Sequence, residues 1–332
     1  MNDVGGVHVH HIDLAHTAPG TIGKYWLHVV NNSLGEAIRV PILVARGKHD
    51  GPVFGLTAAI HGNELNGIPV IQQLFRGLDV SSLRGTILAA LVVNVPGLVR
   101  EQRVFNDGAD LNRIAPGDPA GTTSQVYIHR IVQRVIRHFN YHVDLHTASF
   151  GRVNSHYVRA DMTDPKTARL ARLQNPQIIV NNHASDRTLR GAASEMGITS
   201  VTVELRDPHV FQRTVVTDGI TGLNNALFDL GMLEGEISCP VERTVVCQSS
   251  RWLYTDEGGI LSVFPKVCDY VKAGQPIAEV RTIFGEVTKR YSCPEDAIVV
   301  GRSVNPLNQT GSRIVHLGTG CEEIPCVTEA ED

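Results

Sequence analysis

Four short segments of the chain hold residues whose types and spacing can do chemistry. His61-Gly62-Asn63-Glu64 falls where an apolar, strand-like run ends and a helical pattern carrying Ile68, Ile71, Phe75 and Leu78 begins. Turns beyond the carboxyl ends of strands are where open α/β sheets place ligands, so His61 and Glu64 can converge on a single ion. Asp144-Leu145-His146-Thr147 stands at the end of a second apolar run. His146 would complete a set of two imidazoles and one carboxylate, which holds zinc in several hydrolases and leaves a fourth position open for water.

The third segment runs from Arg103 through Asp110 and Asn112 to Arg113, in a long loop after another strand-like run. Guanidinium groups grip carboxylates through paired hydrogen bonds and can polarise a carbonyl under attack. The fourth is Glu204, which ends the apolar run Val201-Thr202-Val203. A carboxylate there is costly unless paired or beside a cation, which makes it a candidate general base. Taken singly, each segment also fits a plainer role. Glu64 could simply favour a helix N-terminus, His146 could be a hydrogen-bonded strand end, the arginine loop could be a solvated surface, and Glu204 could face water.

The elements that must position these residues are readable from periodicity. Val53–Ile60, Thr86–Val93, His142–His146, Ile178–Val180 and Ile198–Glu204 are short, β-branched and bounded by turn residues, as buried strands are. Between them lie helical stripes. The clearest carries Ile128, Ile131, Val132, Val135, Ile136 and Phe139, with Thr122 and Gln125 placed as a capping box at its start. Strands alternating with helices from Ile38 to about Gly235 describe an α/β sheet covered by helices. After Cys239 the pattern changes to short strands broken by Glu257-Gly258-Gly259, Lys272-Ala273-Gly274 and Cys293-Pro294-Glu295, which reads as a small all-β domain. The resulting division is an N-terminal extension with strands (1–37), an α/β domain (38–238), an all-β domain (239–325) and a tail (326–332). His8, His10 and His11 read as exposed polar surface.

The chain has 332 residues, 42% of them hydrophobic, and a net charge of −4 from 30 Lys and Arg against 34 Asp and Glu. That balance leaves no excess positive charge for a phosphate backbone, so nucleic acid is not an expected partner. No run approaches the ~18 apolar residues of a membrane span, and the first residues lack the basic and apolar stretches of a signal peptide, so a cytoplasmic location is expected. The six cysteines include no CxxC pair and read as reduced, structural thiols.

Taken in order, HGNE, an Arg before DGxDLNR, DLHT and the strand-end Glu of TVE resemble the succinylglutamate desuccinylase and aspartoacylase family of the zinc carboxypeptidase clan. The likeness extends from about Ile38 to Leu317, and Gly259, Lys272-Ala273-Gly274-Gln275 and Phe284-Gly285 are similar to the family's barrel-sandwich appendage. The resemblance implies a mixed central sheet with helices on both faces, one zinc ion per chain held by His61, Glu64 and His146, and Asp110 steadying the His61 ring. It further implies that Asn112 and Arg113 grip a substrate α-carboxylate, that Arg103 stabilises an oxyanion, and that Glu204 is general base and then acid. The implied substrate is a small N-acyl amino acid, with a zinc carboxypeptidase or peptide amidase as the alternative and a non-catalytic metal-stabilised binding module as a third reading. A homo-oligomer is compatible with the pattern. No covalent cofactor is expected, and Asp144, Arg190 and Arg206 receive no assigned role. Two departures bear on pocket shape: Ile114-Ala115-Pro116-Gly117 replaces the usual aromatic-Pro-Gly, and Leu205-Arg206-Asp207 follows Glu204 in place of a small Gly-rich turn.

Overall fold

Runs of β-branched and aliphatic residues become strands of a sheet that crosses the whole molecule. The computed structural model describes residues 5–183 and 187–327. In chain order the first strands are β1 (Val7–Val9), β2 (Thr21–Asn31), β3 (Ala37–Arg46), β4 (His49–Ala58), β5 (Arg84–Ala90), β6 (Tyr141–His146), β7 (Arg152–Asn154), β8 (His156–Ala160), β9 (Ile178–Asn181) and β10 (Thr199–Leu205). The helices among and after them are α1 (Gly67–Gly77), α2 (Val95–Val99), α3 (Thr123–Arg134), α4 (Pro165–Leu173), α5 (Leu189–Glu195) and α6 (Arg213–Asp229). The C-terminal part adds β11 (Arg243–Tyr254), β12 (Gly259–Val263), β13 (Tyr270–Val271), β14 (Pro276–Arg281), β15 (Val287–Ser292), β16 (Ala297–Ser303), β17 (Leu307–Asn308) and β18 (Arg313–Pro325).

The main sheet is ordered β1-β2-β3-β5-β4-β6-β10-β8-β9-β11-β18-β16-β13, with β7 paired to β16. It is mixed: β5, β4, β6 and β10 run parallel, whereas β8 meets β10 antiparallel. Its two faces bury different helices. Val70, Ile71 and Leu74 of α1, with Leu170 of α4 and Leu223 of α6, cover one face over Leu56, Val143 and Val203. Ile128 and Ile131 of α3 and Leu189 of α5 cover the other, over Ile42, Leu88 and Ala90. The fold is therefore an α/β sandwich with helices on both sides.

The sheet does not stop at the change in sequence character after residue 238. β11 pairs in parallel with β9 and antiparallel with β18, so the C-terminal strands are hydrogen-bonded onto the central sheet before they curl around their own core. That core, with Leu261, Ile277, Val280, Val299 and Leu317, lies under the four-stranded sheet β15-β14-β12-β17. Attachment through a shared sheet places β11 next to β9 with β18 beyond it, and residues of both strands reach the cavity described below.

Two local expectations are corrected. The stripe expected to run to Phe139 breaks at Val135, whose φ of −127° leaves the helix; Ile136–His138 continue as a 3₁₀ turn, while the Thr122–Gln125 capping box forms as expected. Cys239 and Cys326 are joined by a disulfide, so the cysteines are not all reduced. Among the described residues no helix is long and apolar enough to cross a membrane.

Candidate active site

Three neighbouring parallel strands place the site by register alone. On β4, β6 and β10, Leu56, Ala58, Val143, Leu145, Val201 and Val203 point into the α1/α4/α6 core. Strand alternation therefore turns Thr57, His142, Asp144, His146, Ser200, Thr202 and Glu204 to the opposite face. Register sets Thr57 beside Asp144 and Glu204 beside His146. His61 and Glu64 arrive from the turn after β4, which begins at Ala59 in a left-handed conformation (φ 51°). Gly62 in that turn lies against the α2 backbone; a Cβ there would stand 2.0 Å from the Gly97 carbonyl carbon, so only glycine fits.

His61, Glu64 and His146 converge, with one donor atom from each lying within 4.8 Å of the others, and all three are buried. Glu64 is 3.0 Å from His61 Nδ1 and 2.9 Å from His146 Nδ1. The far nitrogen of each ring is held by a second carboxylate, His61 Nε2 by Asp110 at 3.0 Å and His146 Nε2 by Asp144 at 2.8 Å. Both rings thus turn Nδ1 toward one point, the arrangement in which a carboxylate orients a metal-binding histidine. Among the described residues His61 Nδ1 is buried without a hydrogen-bond partner, as a ligand atom would be.

The charges fit a divalent cation. Glu64, Asp110 and Asp144 bring three negative charges and Arg103 one positive, leaving two negative charges when both imidazoles are neutral. The residues respond accordingly. Burial alone would raise the Glu64 carboxyl, but His61 and His146 pull it well below the usual range. Burial likewise opposes the His146 imidazolium, and Asp144 and Glu64 override it and raise that ring well above its ordinary value. The site stabilises positive charge at the point between the rings.

Arg103 bridges the two sides of this cluster, donating to Glu64 at 2.9 Å, to Asp110 at 3.1 Å and to Ser149. Asp110 also accepts from the Asn112 backbone N–H at 3.0 Å. Asn112 Oδ1 accepts from the Leu189 N–H at 2.7 Å, so its oxygen holds the loop to α5 and its NH₂ is the group left to donate. Glu204 accepts from Asn154 Nδ2 at 3.0 Å and from the Tyr157 hydroxyl at 3.4 Å. Burial raises its carboxyl above the ordinary value; His146 opposes the rise and Glu64 adds to it. Arg113 lies exposed at the rim of the cavity.

The cavity above the cluster holds about 480 Å³. Its far wall comes from β11 and β18, through Trp252, Tyr254, Arg313 and His316. Arg190 lines it as well and donates to Asn182, whereas Arg206 is not among the lining residues. Sequence reasoning missed Asp144 as the partner of His146, although the i, i+2 spacing on one strand face was its signal. It also missed Ser149, which donates to Glu64 at 2.6 Å, and the Asn154 and Tyr157 pair, for which no signal existed.

Asp144 is itself held by a buried chain of hydrogen bonds. Thr57 donates its one hydroxyl proton to Asp144 Oδ1 at 2.6 Å, so His142 Nε2, 2.8 Å away, must donate to Thr57, and His142 Nδ1 then accepts from Ser200 at 2.9 Å. Burial keeps His142 neutral by lowering its pKa to about 4, consistent with that pattern. Gly55 makes room for the chain, since a Cβ there would strike the Phe139 ring beneath His142. Thr57→Val should strand one donor and one acceptor, costing about 1–3 kcal/mol of stability for each, and should weaken divalent-metal binding about tenfold. Thr57→Ser should restore both. Denaturant unfolding and a chelator competition would check this, and unchanged metal affinity in the valine variant would show that Asp144 needs no such support.

The sequence model of the succinylglutamate desuccinylase/aspartoacylase catalytic domain matches residues 50–228, more than half of the chain. The chain belongs to that family. A relative in Halomonas elongata, named N-alpha-acetyl-L-2,4-diaminobutyric acid deacetylase, is 23% identical over 285 residues, covering 82% of this chain and 83% of its own length. A succinylglutamate desuccinylase/aspartoacylase structure from Rhodobacter sphaeroides superposes with a TM-score of 0.83 at 22% identity, covering 94% of this chain and 98% of that one. The product-bound ectoine utilization protein EutE (DoeB) of Ruegeria pomeroyi gives 0.83 at 20% identity, covering 91% and 98%. The family is one of deacylases, and these likenesses extend its fold through the C-terminal β strands.

Proposed function

We propose that this family member is a zinc-dependent deacylase that hydrolyses the amide bond of a small N-acyl amino acid. The observation that carries the reading is the convergence of His61, Glu64 and His146, each imidazole backed by a carboxylate, with Glu204 one strand away in register. Two imidazoles and a carboxylate suit zinc and leave a position for water. Zinc bound there would lower the pKa of a water from about 15.7 to roughly 7 and so supply a nucleophile at neutral pH.

The chain's own groups do the rest. Glu204 takes the proton of the attacking water and returns it to the departing amine, and its raised pKa brings it toward the working pH, where a base that must also act as an acid is most effective. Asn154 and Tyr157 hold that carboxylate in place. Arg103, anchored on Asp110 and Glu64, offers its positive charge and its remaining guanidinium N–H to the oxyanion that develops at the acyl carbon. Asn112 and Arg113 hold the α-carboxylate at the rim.

A cavity of about 480 Å³ walled on one side by Trp252, Tyr254 and His316 favours small acyl amino acids over longer peptides. The test is metal analysis of the purified protein followed by an amine-release screen on N-acyl amino acids and dipeptides, with chelator-treated protein as control. One zinc per chain and metal-dependent release from N-acyl amino acids are expected. Preferential release from dipeptides would turn the reading to a carboxypeptidase, and stoichiometric zinc without turnover of any amide would turn it to a binding module.

A further inference from the structure

Cys247, Cys268, Cys293 and Cys321 are free, and two of them meet. Cys247 on β11 and Cys321 on β18 are direct antiparallel partners with their Sγ atoms 3.4 Å apart. Partners facing each other across such strands have Cα atoms about 4.5–5.5 Å apart, inside the span that a disulfide bridges, and a bond needs the sulfurs to close to about 2.05 Å. The pair is asymmetric. Cys247 is buried in an apolar cluster with Tyr157, Ile178, Val180 and Ile298, whereas Cys321 is exposed. Along the same two strands Trp252 pairs with His316 at the cavity wall on one side, and on the other Cys239 and Cys326 are already joined.

That asymmetry decides which sulfur reacts. A thiolate is costly at the buried position and solvated at the exposed one, so Cys247 keeps its proton and donates it to Cys321. This hydrogen bond, opposed by partial burial and aided by the Ile298 backbone, brings the Cys321 thiol down to about 7. The same contact, with burial, pushes the Cys247 thiol up, and burial raises Cys268 and Cys293. The other titratable and charged groups around the pair are Tyr270 of β13 and the Arg243–Glu323 ion pair. The Tyr270 hydroxyl donates to Glu323 at 3.1 Å, so that carboxylate is held by its own partners. An attacking thiol works best when its pKa is near the ambient pH, a condition that Cys321 meets.

We propose that Cys247 and Cys321 form a thiol–disulfide exchange site, in which solvent-facing Cys321 attacks a low-molecular-weight disulfide of the glutathione type and buried Cys247 resolves the adduct. In the first step the Cys321 sulfur bonds to one sulfur of the small disulfide, whose S–S bond breaks and releases a thiolate. In the second the Cys247 sulfur bonds to that of Cys321 as the mixed disulfide breaks, and its proton passes to the thiolate that leaves. The cysteine pair is oxidised to a disulfide, and the small disulfide is reduced to its thiols. The new bond fastens β11 to β18 between the Cys239–Cys326 disulfide and the paired Trp252 and His316. None of this depends on the deacylase reading.

The test uses the full chain with its Cys239–Cys326 bond intact, incubated with oxidised glutathione at neutral pH, blocked with N-ethylmaleimide and mapped by mass spectrometry of its peptides. A glutathione adduct on Cys321 should appear first and give way to a Cys247–Cys321 link, with Cys268 and Cys293 at least about tenfold slower to react. In Cys247→Ala the adduct should form and persist, and the pH at which Cys321 half-reacts with iodoacetamide should rise from about 7 toward the ordinary thiol value of about 8.5. Cys321→Ser, at an exposed position, should give neither adduct nor link and should unfold together with the reduced wild type. An adduct that persists on Cys321 in the wild type would show that Cys247 does not reach it, and labelling of Cys321 no faster than that of Cys268 would remove it as the attacking thiol. A link already present in the isolated protein that reduced glutathione does not open would make the bond structural. Any of these three results would overturn the proposal.

Discussion

Glu204→Gln should lower kcat by roughly 10²- to 10⁴-fold, the usual contribution of a positioned acid–base group, with metal content unchanged. The substitution keeps the shape of the side chain and an oxygen for the Asn154 amide at the position now bonded at 3.0 Å, so the fold loses little. It removes a carboxylate that burial already disfavours, and the unfolding midpoint should stay level or rise slightly. The pH profile gives a second readout. The carboxyl must be ionised to accept the proton of water, and its raised pKa puts the acid limb of kcat/KM above the ordinary Glu value of about 4.3. That limb should disappear with the glutamine. A variant running near the wild-type rate would remove Glu204 from the chemistry, and a variant lacking metal would make it part of the metal centre.

How far the sequence could be read follows from where the signal is local. His61, His146 and Glu204 are legible because each terminates an apolar run, and a polar group at the end of a buried strand needs an explanation wherever it occurs. The helix after Thr122 is legible because its cap and its stripe agree. The break at Val135 is not, since an apolar stripe continues through a 3₁₀ turn as readily as through a helix. β7 and β8 escape notice because Arg152, Asn154, Ser155 and His156 interrupt any apolar run there. Those interruptions lead into the site: Asn154 donates to Glu204 and Arg152 lines the cavity. Asp144 illustrates a third limit. Its place on the face of His146 is written in the strand period, yet its bond to Thr57 depends on β4 lying next to β6 in one register, and no local pattern specifies that neighbour. Trp252 and Arg313 are further still from legibility, because their approach to the site depends on β11 joining the sheet at β9.

His61→Ala should abolish stoichiometric zinc binding and lower turnover at least about 10³-fold, since a bound metal supplies several kcal/mol of barrier lowering and each 1.36 kcal/mol is tenfold in rate. The loss should be confined to the metal. Glu64 retains His146, Arg103, Ser149 and the Thr147 N–H, and Asp110 retains Arg103 and the Asn112 N–H, so no carboxylate is left bare by the missing ring. Thermal unfolding separates this from general damage. Zinc at 100 times its Kd should stabilise the wild type by about 2.7 kcal/mol and the variant not at all, while the metal-free forms of the two unfold close together. The truncation opens a space of imidazole shape against Asp110, so added imidazole should return part of both zinc binding and amine release. A variant that still held one zinc per chain with wild-type stabilisation would place the ion elsewhere, and the assignment of Glu204 and Arg103 to its neighbourhood would fall with it.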